Sequence, residues 1–202
     1  MKGGRRLSTI PDEKECIAIL KEAGCSPRII HHSRTVKAVA DIIAARIPGV
    51  NKELVVAGAL LHDLGRVKDH TIRHAAIGAR MAEELGLPED VTEIIKRHTG
   101  AGLDDDDIQA FDLPPGDYYP RTIEQKIVAH ADNLVSDSLV VSHRVPVEKL
   151  MAKDAFGGAE RIIELHKELS ETVGFDLDLI VEIIGDSPLG EPPRQRRDRE
   201  SF

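Results

Sequence analysis

The sequence predicts an all-α fold, a single bundle of about seven or more helices, and three observations carry that expectation. Apolar residues recur at helical spacing along most of the chain, and no stretch alternates convincingly as a strand would. Aromatic residues are only 3% of the 202 and Trp is absent. The core must then be Leu, Ile, Val and Ala, which with abundant Glu and Lys is a helix-forming palette. Helix punctuation falls between the periodic segments: Ser26-Pro27, Pro48-Gly49, Gly86 with Pro88, and Thr122 with Gln125.

Residues 1–10 read as a loose lead, 11–185 as one folded domain, and 186–202 as a tail. The first helix covers about 12–24, with Ile17, Leu20 and Ala23 on one face. Ser26 caps the second, Pro27 fits its first turn where no backbone donor is needed, and the helix ends before Pro48. Residues 51–64 form a short helix that is apolar nearly all round and therefore buried on most sides. Gly65 is expected to end it in a left-handed turn. Helices follow at about 70–85 and 88–97. The stretch 99–121 breaks the pattern with Pro114, Pro115, Gly116 and Pro120, and a loop of this length is read as a lid or specificity element. Its run Asp104, Asp105, Asp106, Asp107 reads as a solvated acidic face rather than an ion cluster. Thr122 and Gln125 have capping-box spacing and open a helix to about Leu139. Further helices are expected at 146–153, 158–172 and 177–184. The tail, rich in Arg and Pro and poor in apolar residues, is expected to be disordered.

The formal net charge of -8 speaks against a surface built to bind a nucleic-acid polymer. It leaves room for an anionic substrate, because a bound metal can dominate the local field. Cys16 and Cys25 fit no metal-finger or disulfide pattern and read as small buried side chains. No apolar run approaches the length of a membrane span and no signal peptide is visible, so a cytoplasmic protein is expected, without a membrane partner. Assembly into a homo-oligomer is compatible with the sequence.

The nine histidines are placed unevenly. In the second helix His32 falls on the apolar stripe of Ile29, Val36, Val39 and Ile43, whereas His31 falls off it. His62 and Asp63 end the apolar third helix. His70 and His74 share a face with Ile77, Met81 and Leu85, and His98 shares one with Val91, Ile94 and Ile95. One inward histidine is ordinarily a hydrogen-bonded core residue. Several helices each burying an imidazole or carboxylate would each lose about 1–3 kcal/mol without partners, and a shared metal removes those costs together. Imidazole with carboxylate suits divalent Fe, Mn, Co, Ni or Zn. Ligands spread over about 100 residues without Cys exclude a zinc finger.

These residues resemble the HD superfamily of metal-dependent phosphohydrolases over about residues 28–137. His32-Ser33-Arg34-Thr35-Val36 is similar to the first His element of that superfamily. Leu60-Leu61-His62-Asp63-Leu64-Gly65-Arg66 resembles its defining element. His74-Ala75-Ala76-Ile77-Gly78-Ala79 and Arg97-His98-Thr99-Gly100 resemble elements of a two-metal subgroup. They are closest in kind to HD-type diadenosine tetraphosphate hydrolases and small archaeal HD proteins. Ile127-Val128-Ala129-His130-Ala131-Asp132-Asn133-Leu134 resembles the closing Asp element. Periodicity does not separate Asp132 from His130, so the preference for Asp132 rests on the resemblance. Tyr118-Tyr119-Pro120 is not the Gly-Tyr-Pro element of cyclic di-GMP hydrolases, and Thr99 stands where some relatives carry a second His.

The resemblance implies a site in which His32, His62, Asp63 and Asp132 hold one metal ion. His74 and His98 would add a second ion, with Asp63 bridging. Two ions would activate water and neutralise a phosphoryl group. Arg66 is the expected phosphate clamp and Asp63 the holder of the attacking water. His70 would contact substrate or donate a proton, and Lys68 and Arg97 are secondary phosphate contacts. The substrate class implied is a small phosphorylated compound, a nucleotide above all. Two alternatives share the ligand set: an HD-fold di-iron oxygenase, and a non-catalytic metal-binding sensor or scaffold.

Overall fold

The computed structural model describes residues 9–184. The expectations for residues 1–8 of the lead and for the tail lie outside the described residues. Among the described residues there are ten α-helices: α1 (Glu13–Glu22), α2 (Pro27–Ala44), α3 (Lys52–Leu61), α4 (His74–Glu84), α5 (Glu89–Arg97), α6 (Asp105–Ala110), α7 (Ile123–Asn133), α8 (Arg144–Met151), α9 (Phe156–Val173) and α10 (Ile180–Ile184). Short 3-10 turns at Leu64–Val67 and Leu177–Leu179 complete the helical part. The all-α expectation holds. Among the described residues no helix is long and apolar enough to cross a membrane.

Local chemistry sets the boundaries. The Ser26 hydroxyl accepts from the Ile29 amide with Pro27 in the first turn, and Thr122 and Gln125 form the predicted capping box. Helix α3 is the hub. It packs against α1, α2, α5 and α7, and Leu54, Val55, Ala57, Ala59, Leu60 and Leu61 are all buried. Both cysteines are buried and free. Burial, followed by nearby carboxylates, pushes the Cys16 thiol up to about 12.

Four sequence expectations need correction. The helix after Thr122 stops at Asn133 rather than Leu139. There β1 (Val135–Ser136) pairs antiparallel with β2 (Leu139–Val140), around Asp137 in a left-handed conformation. Two-residue strands are too short to alternate legibly. The 70–85 helix begins at His74. The Asp69 carboxylate accepts from both the amide and the hydroxyl of Thr71, a local turn that competes with helix.

Segment 99–121 is anchored rather than a free lid. Leu103, Leu113 and Tyr118 make a small core with Ile72, Ala76 and Ile108. The acidic run is the N-terminus of α6: Asp104 caps it, and Arg161 on α9 bonds Asp104 at 2.7 Å and Asp107 at 2.6 Å.

Finally, Gly65 does not take a left-handed turn; it permits a close approach. A Cβ there would sit 2.0 Å from the His74 carbonyl oxygen and 2.6 Å from the Gly78 nitrogen. Backbone atoms cannot yield as a side chain can. Gly65→Ala is therefore expected to cost more than about 3 kcal/mol, the upper end of ordinary overpacking. Urea denaturation followed by circular dichroism measures it, and a loss below about 1 kcal/mol would contradict the packing argument.

Candidate metal centre

Five elements converge on one point. His32 comes from α2, His62 and Asp63 from the end of α3, His74 from the first residue of α4, His98 from the end of α5, and Asp132 from the last turn of α7. His62, Asp63, His74 and His98 are buried. The carboxylate of Asp63 divides its two oxygens between two groups of histidines. Its Oδ1 lies 3.1 Å from His74 Nε2 and 3.7 Å from His98 Nε2. Its Oδ2 lies 3.6 Å from His62 Nε2 and 3.7 Å from His32 Nε2. Asp132 Oδ1 closes the second group, 2.9 Å from His32 Nε2 and 3.4 Å from His62 Nε2.

The histidine orientations have a common cause. Each of the four uses Nδ1 on a backbone carbonyl: His62 on Ala59 at 2.8 Å, His74 on Thr71 at 2.6 Å, His98 on Ile95 at 2.7 Å and His32 on Asp137 at 2.5 Å. A carbonyl only accepts, so the Nδ1 carries a proton and each Nε2 is turned inward toward the carboxylates and the neighbouring rings, where it can offer a lone pair to an ion in place of a second proton. The Nε2 atoms of His74 and His98 face each other at 2.9 Å. Two lone pairs at that spacing repel unless a cation or proton lies between or beside them. His62 Nε2 and Asp63 Oδ1 are buried and have no hydrogen-bond partner. This donor set fits a divalent transition metal. Two overlapping groups, His32 with His62 and Asp132, and His62 with Asp63 and His98, each bring ligand atoms within 4.8 Å of one another.

Electrostatics agree. Burial opposes charge on Asp63 and Asp132, but the facing histidines outweigh it and hold both carboxyls below the usual carboxylate range. Burial disfavours a proton on His62; Asp63 and Asp132 overcome it and push that ring up to about 9. For His98 burial, then His62 and His74, push the ring down to about 3.

A cavity of about 550 Å³ opens onto the centre, lined in part by His32, Asp63, Arg66, His70 and Asp132. Arg66 Nε donates to Asp63 Oδ2 at 2.6 Å, and the side chain is 31% exposed. His70 is exposed at the rim, in the turn before α4 rather than on its inner face.

The structure does not bring Lys68 and Arg97 into this cavity. Lys68 is exposed outside the lining. Arg97 is committed to Glu93 at 2.5 Å, Asp117 at 2.8 Å and the Tyr119 carbonyl, where it pins the 99–121 segment. His130, which periodicity could not separate from Asp132, turns away to pair with His166 at 3.0 Å. Among the lining residues that sequence reasoning missed are Arg28, one turn ahead of His32; Asn133, beside Asp132; and Lys149 on α8. Only Arg28 carried a signal, its i−4 spacing from a ligand candidate.

The family profile described as HD domain matches residues 29–137, more than half of the chain. The chain belongs to the HD domain family. Its matched region contains all six candidate ligands. Among curated relatives, a tRNA (cytidine(56)-2'-O)-methyltransferase of Picrophilus torridus is 43% identical over 182 residues, 90% of this chain and 53% of that protein. An uncharacterized protein of Methanocaldococcus jannaschii is 42% identical over 126 residues, 60% of this chain and 74% of that one. This HD protein thus spans about half the length of the methyltransferase it matches. The solved HD domain of the L. monocytogenes phosphodiesterase PgpH shares the fold. Its TM-score is 0.54 at 21% identity, over 83% of this chain and 99% of that one.

Proposed function

We propose that this HD protein is a metal-dependent phosphohydrolase that cleaves a phosphomonoester or phosphodiester of a nucleotide-sized substrate. The observation that carries the reading is the set of inward Nε2 atoms around Asp63, opening onto a cavity with cations at its edge. Bound divalent ions would supply Lewis acidity and a hydroxide near neutral pH.

The residues of the chain would do the rest. Asp63, with one oxygen toward each histidine group, can bridge two ions and orient the attacking water. Arg66 steadies Asp63 and can turn a guanidinium edge to a phosphate oxygen. His70, exposed at the rim, can hand a proton to the leaving oxygen. Lys149 lines the cavity and can add positive charge for a second anionic group on the substrate, while Arg28 beside it is paired with Asp137.

A second reading, an RNA as the phosphodiester substrate, takes from the name of the P. torridus relative only that it acts on tRNA, the name itself being that of a methyltransferase.

One experiment separates these. Anaerobically purified protein is analysed for metal, then supplied with Mn, Fe, Co or Ni and a panel of nucleoside monophosphates, dinucleoside polyphosphates, cyclic nucleotides and short RNAs. Nucleotide or phosphate release from small substrates supports the proposal, and RNA shortening the second reading. Metal without hydrolysis of any substrate would overturn both, and oxygen uptake would then point to an oxygenase.

A further inference from the structure

Three of the nine histidines, His130, His143 and His166, gather on the far side of α7 from the metal centre and take no part in it. The His143 and His166 rings stack with centroids 3.7 Å apart. Asp178 lies against His143, both carboxylate oxygens 3.0 Å from its Nδ1. Asp178 is itself fixed by the Ser142 hydroxyl at 2.6 Å and the His143 amide at 2.8 Å. His166 Nε2 faces Asp176 Oδ1 at 3.1 Å, and its Nδ1 faces His130 Nε2.

We propose that His143, His166 and Asp178 form a second transition-metal site, separate from the centre around Asp63, with Asp176 as the nearest fourth ligand. Ligand atoms from the three residues lie within 4.8 Å of one another. Metal–nitrogen and metal–oxygen bonds of about 2.0–2.2 Å put tetrahedral ligand atoms roughly 3.4 Å apart. The His143–Asp178 pair already has such a spacing, whereas the His166 ring, stacked at 20° to His143, would have to tilt out of the stack and close by up to about 1.5 Å for both rings to aim at one ion. Two imidazoles with carboxylates suit Zn, Co or Ni. An outer partner that orients a ligating ring is supplied by His130 against His166. An open cleft of about 420 Å³ lined by His166, Ser170, Phe175 and Asp176 reaches the His166 and Asp176 side of the group from solvent.

The place in the fold gives the site a role. Helix α8 buries no residue fully, yet its Val145, Pro146 and Lys149 line the catalytic cavity. His143 stands immediately before α8, so an ion there would tie α8 to α9 and to the 3-10 turn at Leu177–Leu179. The site would be structural, stiffening one wall of the cavity.

The test uses the full chain and Co2+ alone. After equilibrium dialysis, bound cobalt is counted by elemental analysis for the native protein and for Asp178→Asn and His143→Ala, with circular dichroism confirming that each variant is folded. The expected result is one fewer ion per chain in either variant. Unchanged cobalt content in a folded variant would overturn the proposal. A measurement that needs no variant is carbethoxylation of the native protein with and without Zn2+, read by peptide mass spectrometry. Protection of His143 and His166 is expected, and equal labelling of both at saturating Zn2+ would overturn the site. Neither readout depends on turnover, so an inert centre at Asp63 would leave this inference standing.

Discussion

Asp63→Ala is expected to lower turnover at least a thousandfold, about 4 kcal/mol in barrier height, with the fold retained. The side chain is 3% exposed and meets four imidazoles and the Arg66 guanidinium through its two oxygens. Its loss removes the only carboxylate that faces both histidine groups. His74 and His98 are then left facing each other with Asp132 as the remaining counter-charge. Steady-state rates beside metal content read the effect. Arg66→Ala should cost less, about 10- to 100-fold, because it holds one oxygen of Asp63 and, on the proposed reading, would add a phosphate contact. Lys68→Ala, outside the cavity, serves as the control. A folded Asp63→Ala protein with more than a tenth of native turnover would remove Asp63 from the chemistry.

Stripping the metal should reverse the pH dependence of the site. Without an ion, the His62 proton raised to about 9 contributes stability that is complete below the ordinary histidine value near 6.5. It is lost as pH rises to 9, a fall of at most about 3 kcal/mol. His98, pushed down to about 3, acts in the other direction, weakening the apo protein as pH falls below 6.5. With an ion, the trend between 6.5 and 9 inverts: a metal must displace the His62 proton, so affinity should rise about tenfold per pH unit in that window. Chemical denaturation of chelated and loaded protein at pH 6.5 and 9 checks both signs. Parallel pH trends in the two forms would show that His62 does not ligate.

Much of this arrangement is legible in the sequence because helices write their burial in period. His32 and His98 lie among Val, Ile and Ala on inward stripes, and the structure finds them inward. Caps were legible for the same local reason: Ser26 and Thr122 act within three residues of themselves. What was not legible depends on direction or on distance along the chain. His70 shares a helical phase with His74, but the Asp69–Thr71 turn takes it off the helix. Arg97 stands beside a ligand in sequence and points to Glu93 and Asp117 in space. His130 and Asp132 flank one stripe, and only α9 packing beside α7 decides that the first meets His166. The His143 group joins residues that no single periodicity connects.

The ends of α3 and α5 have a consequence for the order of events. His62 and His98 are the cap residues of those helices, and each holds a carbonyl of its own last turn through Nδ1. A helix C-terminus carries roughly half a negative charge. Two such ends, with Asp63 and Asp132, bring negative potential to the floor of the cavity, which Arg66 and the His62 ring offset only in part. A phosphate arriving first meets that potential, and one arriving after the ion meets its inverse. On the proposed phosphohydrolase reading, the order that this placement of two helix ends favours is cation before phosphoester.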